Sequence, residues 1–177
     1  MRKVILLLIL SFNGSSAIAL ELYGVDLGKS QQGELRSATE NAGLKLIQQG
    51  GEDQWFDSYD SSDVLPLSRR LYLGFVKQDK RFAFAEYEFA GFDYRQILRN
   101  LKQKYGPPKL INGKYISDRK YRWIKDGIEI SLQIDWRNYR TRLSYIEPAA
   151  FAALRKERPV STVGVSETDI ATDYSIY

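Results

Sequence analysis

Gly91-Phe92-Asp93-Tyr94-Arg95-Gln96-Ile97-Leu98-Arg99-Asn100-Leu101-Lys102-Gln103-Lys104-Tyr105-Gly106-Pro107-Pro108 carries both ends of a helix in its own letters. Asp93 is an N-cap residue, and Gln96 three positions on can reach back to close a capping box. Phe92 and Ile97 are placed to act as a hydrophobic staple. Gly106 supplies the left-handed residue that ends a helix, and Pro107-Pro108 cannot extend the ladder. Tyr94, Ile97, Leu98, Leu101 and Tyr105 recur at helical spacing, whereas Arg95, Arg99, Lys102 and Lys104 fall mostly elsewhere. Such a helix has to cover an apolar surface, and the stretches around it supply strands.

Working outward, Glu21 to Leu27 reads as a short opening strand and Ser30 as the cap of a first helix whose apolar face is Leu35, Ala38 and Ala42, ended by Gly43. Leu44 to Gln48, Gln54 to Tyr59, Arg69 to Lys77 and Arg81 to Phe89 follow as strands. Beyond the central helix, Leu110-Ile111 begins another, with Asn112-Gly113 as a turn. Lys120 to Lys125, Asp126-Gly127 and Ile128 to Trp136 form the clearest hairpin, its second strand alternating Ile128, Ile130, Leu132, Ile134 and Trp136 with Glu129, Ser131, Gln133 and Asp135. Arg140 to Ile146 is the last strand, and Pro148 starts a short helix through Arg158.

The order repeats. Leu35-Arg36 precedes Gly43 by the spacing at which Leu98-Arg99 precedes Gly106, and Lys45-Leu46-Ile47 and Lys109-Leu110-Ile111 follow the two glycines. The expected architecture is α+β: two tandem helix-then-antiparallel-strands units, about 21–89 and 90–147, packed as one domain over 20–158. Residues 159–177 lack periodicity and read as a flexible tail. Residues 1–19 read as a secretory signal, with Arg2 and Lys3, the apolar run Val4 to Leu10, and Ala17-Ile18-Ala19 as the cleavage site. That places the product in the periplasm or outside the cell, with no transmembrane segment in the mature chain. The formal net charge of +4 falls towards neutrality without Arg2 and Lys3.

With no His and no Cys, the chain has no His-assisted triad, thiol nucleophile, disulfide or ordinary zinc site, and no cofactor is called for. Glu86, Glu88, Glu129 and Asp135 lie on strands and are the carboxylates available to a cell-wall glycan hydrolase, although alternation accounts for them as solvent-facing. Asp57, Asp60 and Asp63 near Glu52 and Asp53 gather oxygen donors without a calcium-loop pattern. A basic run from Arg95 to Lys125 is interleaved with Tyr105, Tyr115, Tyr121 and Trp123, in a chain with twelve Tyr and three Trp. Export turns that run away from nucleic acid and towards an acidic protein or an anionic envelope lipid or glycan. The candidate contact residues are Arg95, Arg99, Lys102, Lys104, Arg119, Arg122, Trp123, Gln133, Asp135, Arg140 and Arg142.

In element order from Tyr23 to Glu147 the chain resembles the β-lactamase inhibitory proteins and the SmpA/OmlA outer-membrane assembly lipoproteins. It lacks the disulfide cysteines of the former and the acylated Cys of the latter, so the resemblance passes on no residue. What it implies is a sheet face that binds protein partners. The expectation is a non-catalytic binding protein, an inhibitor, immunity or envelope-assembly accessory protein, with the glycan hydrolase and the anionic-ligand binder as alternatives.

Overall fold

Alternating strands with one apolar face need a cover, and two helices and a small hairpin provide it. The computed structural model describes residues 20–51, 55–91, 94–111, 119–135 and 139–157. A two-stranded hairpin, β1 (Glu21–Leu22) and β2 (Val25–Asp26), opens the chain where one opening strand was expected; Tyr23 and Gly24 turn it with φ of 53° and 82°. Helix α1 (Gln32–Asn41) leads into β3 (Lys45–Gln48), β4 (Phe56–Asp60), β5 (Ser68–Phe75) and β6 (Phe82–Ala90). Helix α2 (Tyr94–Tyr105) leads into β7 (Lys109–Ile111), β8 (Lys120–Lys125), β9 (Ile128–Asp135) and β10 (Arg140–Ile146), and α3 (Pro148–Lys156) closes the described fold.

Among the described residues, the other eight strands form one antiparallel sheet in the order β3-β4-β5-β6-β10-β9-β8-β7. Each helix is followed by a four-stranded meander, and the last strands of the two meanders pair in the middle, Phe84 opposite Ile146 through Ala90 opposite Arg140. The fold is α+β, and helix-then-strands occurs twice in it.

Strand alternation divides the sheet into two faces. One carries Tyr59, Leu71, Leu73, Tyr87, Phe89, Trp123, Ile130, Leu132 and Leu143 into the main core, beneath α1, α2 and the opening hairpin. The α2 stripe packs there as its spacing predicts: Leu101 is buried, and Tyr94, Ile97, Leu98 and Tyr105 pack around it. Gly106 ends the helix at φ 83°, and its carbonyl accepts the Trp123 indole N–H at 2.8 Å. Phe92, Asp93 and the Asn112-Gly113 turn lie outside the described residues. The expected Ser30 cap is corrected: Ser30 is buried and its hydroxyl donates to the Leu27 carbonyl, while Gln31 occupies the cap position without a side-chain bond. A competing acceptor one turn upstream took the hydroxyl. Asp126 and Gly127, at φ 50° and 80°, make the tight turn expected between β8 and β9.

α3 covers one end of the other face. Its Ala150, Phe151 and Leu154 meet Val76, Ala83, Phe84 and Ile146, with Trp55, Phe56 and Tyr72 alongside. Glu147 caps it, accepting from the Ala149 and Ala150 amides. Gly74 is the contact that lets α3 sit so close, since a Cβ there would overlap the Phe84 ring and press on Leu154. Gly74→Ala is therefore expected to cost about 1–3 kcal/mol by forced repacking. Urea unfolding monitored by far-UV circular dichroism checks this; a midpoint equal to the wild type's would contradict the packing.

Candidate functional site

Beyond α3 the same sheet face is polar, and strand register lays its residues out in rows. One runs Lys45, Asp60, Arg70, Glu88, Arg142, Gln133, Lys120 and Ile111, each opposite the next on adjacent strands. The parallel row nearer α3 runs Gln48, Ser58, Tyr72, Glu86, Ser144, Ser131, Arg122 and Lys109. α3 borders the second row, where Tyr72 packs alongside its apolar cluster.

The charges are tied to one another. Arg140 Nη1 donates to Glu88 Oε2 at 2.7 Å. Glu129 holds two cations, Lys120 Nζ at 3.3 Å and Arg122 Nη2 at 2.7 Å. Glu86 accepts the Ser144 hydroxyl at 2.8 Å and has Arg142 Nε 3.9 Å away. Neighbouring side chains bury these groups: Glu86 is 5% exposed, Glu88 8% and Ser131 3%. The expectation that Glu86 and Glu88 face solvent by alternation is corrected here, because long side chains on adjacent strands lie over them. Arg122 Nε is also buried, without a hydrogen-bond acceptor among the described residues.

Burial pushes the Glu86 carboxyl up to about 7, with Glu88 raising it slightly and Arg142 and the Ser144 hydroxyl holding it down. An acid whose folded pKa exceeds its unfolded value binds its proton more tightly when folded. The fold is then favoured below the ordinary carboxylate range and loses that advantage as pH rises to about 7. The full swing is about 3 kcal/mol. Glu86→Gln should raise stability at pH 8 by an amount of that order and leave it nearly unchanged at pH 4.5. Urea melts of both proteins at the two pH values check this, and equal destabilisation at both would contradict it.

The sequence-derived candidates separate onto the two sides of the sheet. Arg122, Gln133, Arg140 and Arg142 come together on the polar face, with Asp135 opposite Arg140 in register. Arg95, Arg99, Lys102 and Lys104 are exposed on α2, on the helix side, so the basic run is not one patch. Arg119 is exposed just before β8. Trp123 is 5% exposed in the main core, where it fastens the end of α2. The face also recruits Lys120, Glu86, Glu88, Ser144 and Arg70, which were not among the candidate contacts. The period-two pattern of Arg140, Arg142 and Ser144 was the signal for part of it.

The acidic segment disperses. Asp57 lies on the helix side, 1% exposed, bound by Arg36 through Nε and Nη2 at 2.7 Å each and by the Gly50 amide at 2.6 Å. Asp60 accepts from Ser62, and Asp63 pairs with Lys45 at 2.7 Å. Among the described residues no three acidic side chains converge on a metal position. A cleft of about 370 Å³ beside Asp57 is lined by Gln32, Trp55, Phe56, Lys77 and Lys80, and lies away from the charged rows. Among the described residues no helix is long and apolar enough to cross a membrane.

A paired-charge sheet face backed by two helices defines the architectural class, and sequence comparison supplies the family. The chain belongs to the TP0088 domain family, which matches residues 54–157, from just before β4 to the end of α3. Among solved structures it is similar to a DUF4309 family protein, YjgB, from Bacillus subtilis, with 15% identity over 71% of this chain and 86% of that one and a TM-score of 0.43. No curated protein matches the sequence significantly.

Proposed function

We propose that the protein is an exported, non-catalytic binding protein that engages a protein partner in the cell envelope through the polar face of its sheet. The observation that carries this reading is the ion-paired lattice itself. Its arginines and carboxylates are held by one another on adjacent strands, so they present fixed charges with little rotamer freedom left to lose on contact. A lattice of this kind on a sheet surface suits extended contact better than turnover. Glu86 and Glu88 are engaged by Ser144 and Arg140. The segment 1–19, with its charged start and small-residue cleavage pattern, supports export.

Envelope extract passed over the immobilised protein tests this. A stoichiometric partner should bind the wild type and be lost, by at least tenfold in affinity, from an Arg122→Ala/Gln133→Ala variant whose circular dichroism is unchanged. Retention of the same partner by that variant, or peptidoglycan hydrolysis that disappears in Glu86→Gln, would overturn the reading.

A further inference from the structure

The outward face of α2 carries charge that the described fold does not answer. Leu101 is buried on the inner side of the helix, and Tyr94, Ile97, Leu98 and Tyr105 pack around it. Arg95, Arg99 and Lys102 follow one another at i, i+4 and i+7; at 3.6 residues per turn they fall within an arc of about 60° and run about 10 Å along the axis. All three are exposed, and none forms an ion pair among the described residues. Gln96, Asn100 and Gln103 beside them are uncharged, with Gln96 donating to Asn100 at 2.9 Å. The helix holds four cations and no acid; the fourth, Lys104, has its ammonium 5.2 Å from the centre of the Tyr105 ring.

This placement works against the helix. Arg95 stands in the first turn, at the positive end of the macrodipole, and Arg95 and Arg99 repel one another one turn apart. On the other side of the sheet, by contrast, Lys120, Arg122 and Arg140 each have a carboxylate partner. A further cation flanks the first turn of α2. The Tyr94 ring stacks on Tyr121 of β8 with centroids 6.2 Å apart, and the exposed Arg119 donates to the Tyr121 hydroxyl.

We propose that the helix side of the protein rests on a bilayer surface of anionic phospholipid, with the outward stripe of α2 against the headgroups. Basic clusters on amphipathic helices meet anionic lipid in this way, and guanidinium forks match phosphate oxygens. The stripe of Arg95, Arg99 and Lys102 is a convex ridge without an aromatic or aliphatic anchor. That shape fits a plane of phosphates better than a protein interface, whose energy concentrates in such anchors. Because the apolar face of α2 is taken up by the core, the attraction is electrostatic and involves no insertion. Neutral lipid then contributes nothing, and salt releases the protein. The ion-paired sheet face, on the opposite side, stays open to the partner proposed above, so the inference extends that reading without depending on it.

Co-sedimentation of the whole protein with vesicles of mixed phosphatidylglycerol and phosphatidylcholine, and with vesicles of phosphatidylcholine alone, tests it. Labelled poly-glutamate and dextran sulfate, read by fluorescence anisotropy, stand for an acidic protein and an acidic glycan. The mixed vesicles should bind at least tenfold more tightly than the neutral ones at low salt and release the protein at high salt. Each basic residue near such a surface contributes about fivefold, so Arg95→Gln/Arg99→Gln/Lys102→Gln should lose about a hundredfold in partitioning. Its circular dichroism should be unchanged and its melting temperature no lower than the wild type's, because glutamine keeps helix propensity and removes the repulsion. Arg155→Gln/Lys156→Gln, which removes exposed cations from α3 on the other side of the sheet, should bind as the wild type does. Equal binding to neutral vesicles, indifference of the triple variant, a comparable loss in the α3 variant, or tighter binding to either soluble polyanion than to the mixed vesicles would overturn the inference.

Discussion

The antiparallel pairing of β6 with β10 is the constraint on which the other features depend. Each helix-plus-meander unit ends in a strand with one unsatisfied edge, and an unpaired ladder in the middle of a core would strand its amides and carbonyls away from water. Joining the two last strands satisfies both edges and makes a single sheet of eight strands. It also brings the apolar faces of both units under their helices as one continuous core. The short first strands, β3 and β7, are left at the outer edges, each beginning with a lysine that discourages further pairing.

The same seam determines the polar face. Register places Glu88 opposite Arg142 and Glu86 opposite Ser144, and Arg140 reaches Glu88 from the neighbouring position. The net stability such pairs contribute is small, because desolvation offsets most of the Coulomb attraction. Leaving out one partner of the Arg140–Glu88 or Arg122–Glu129 pair would cost far more than the pair contributes. The lattice therefore fixes which charges face outward without being what holds the fold together. Glu86 shows the strain in this arrangement: its carboxyl titrates near neutrality because burial outweighs the help from Arg142 and Ser144. Stability comes from the other face, where Tyr59, Leu71, Leu73, Ile130 and Leu132 are fully buried.

Much of this was legible in the chain. α2 could be read from its apolar stripe and Gly106, β9 from strict alternation, and the paired units from the recurrence of Lys-Leu-Ile after a helix-ending glycine. The burial of Glu86 and Glu88 was not legible, because alternation assigns a side but not whether neighbouring arginines lie over that side. Phe82 and Phe84 obscured the face of β6, whose register with β5 shifts between Gly74 and Phe75. The basic run looked like one patch because sequence proximity does not reveal that α2 and β8 put their cations on opposite sides of a sheet. Trp123 looked like a contact residue, although its indole is needed to fasten α2.

Native-state hydrogen exchange across a urea series measures the seam most directly. If the β6 and β10 pairing makes one cooperative body of the two units, amides in β6 and β10 should be among the slowest to exchange, and they should converge with core amides of β5 and β9 on a single global unfolding free energy. Exchange of the β7 to β10 meander through a separate, lower-energy opening while β3 to β6 stays protected would contradict the account.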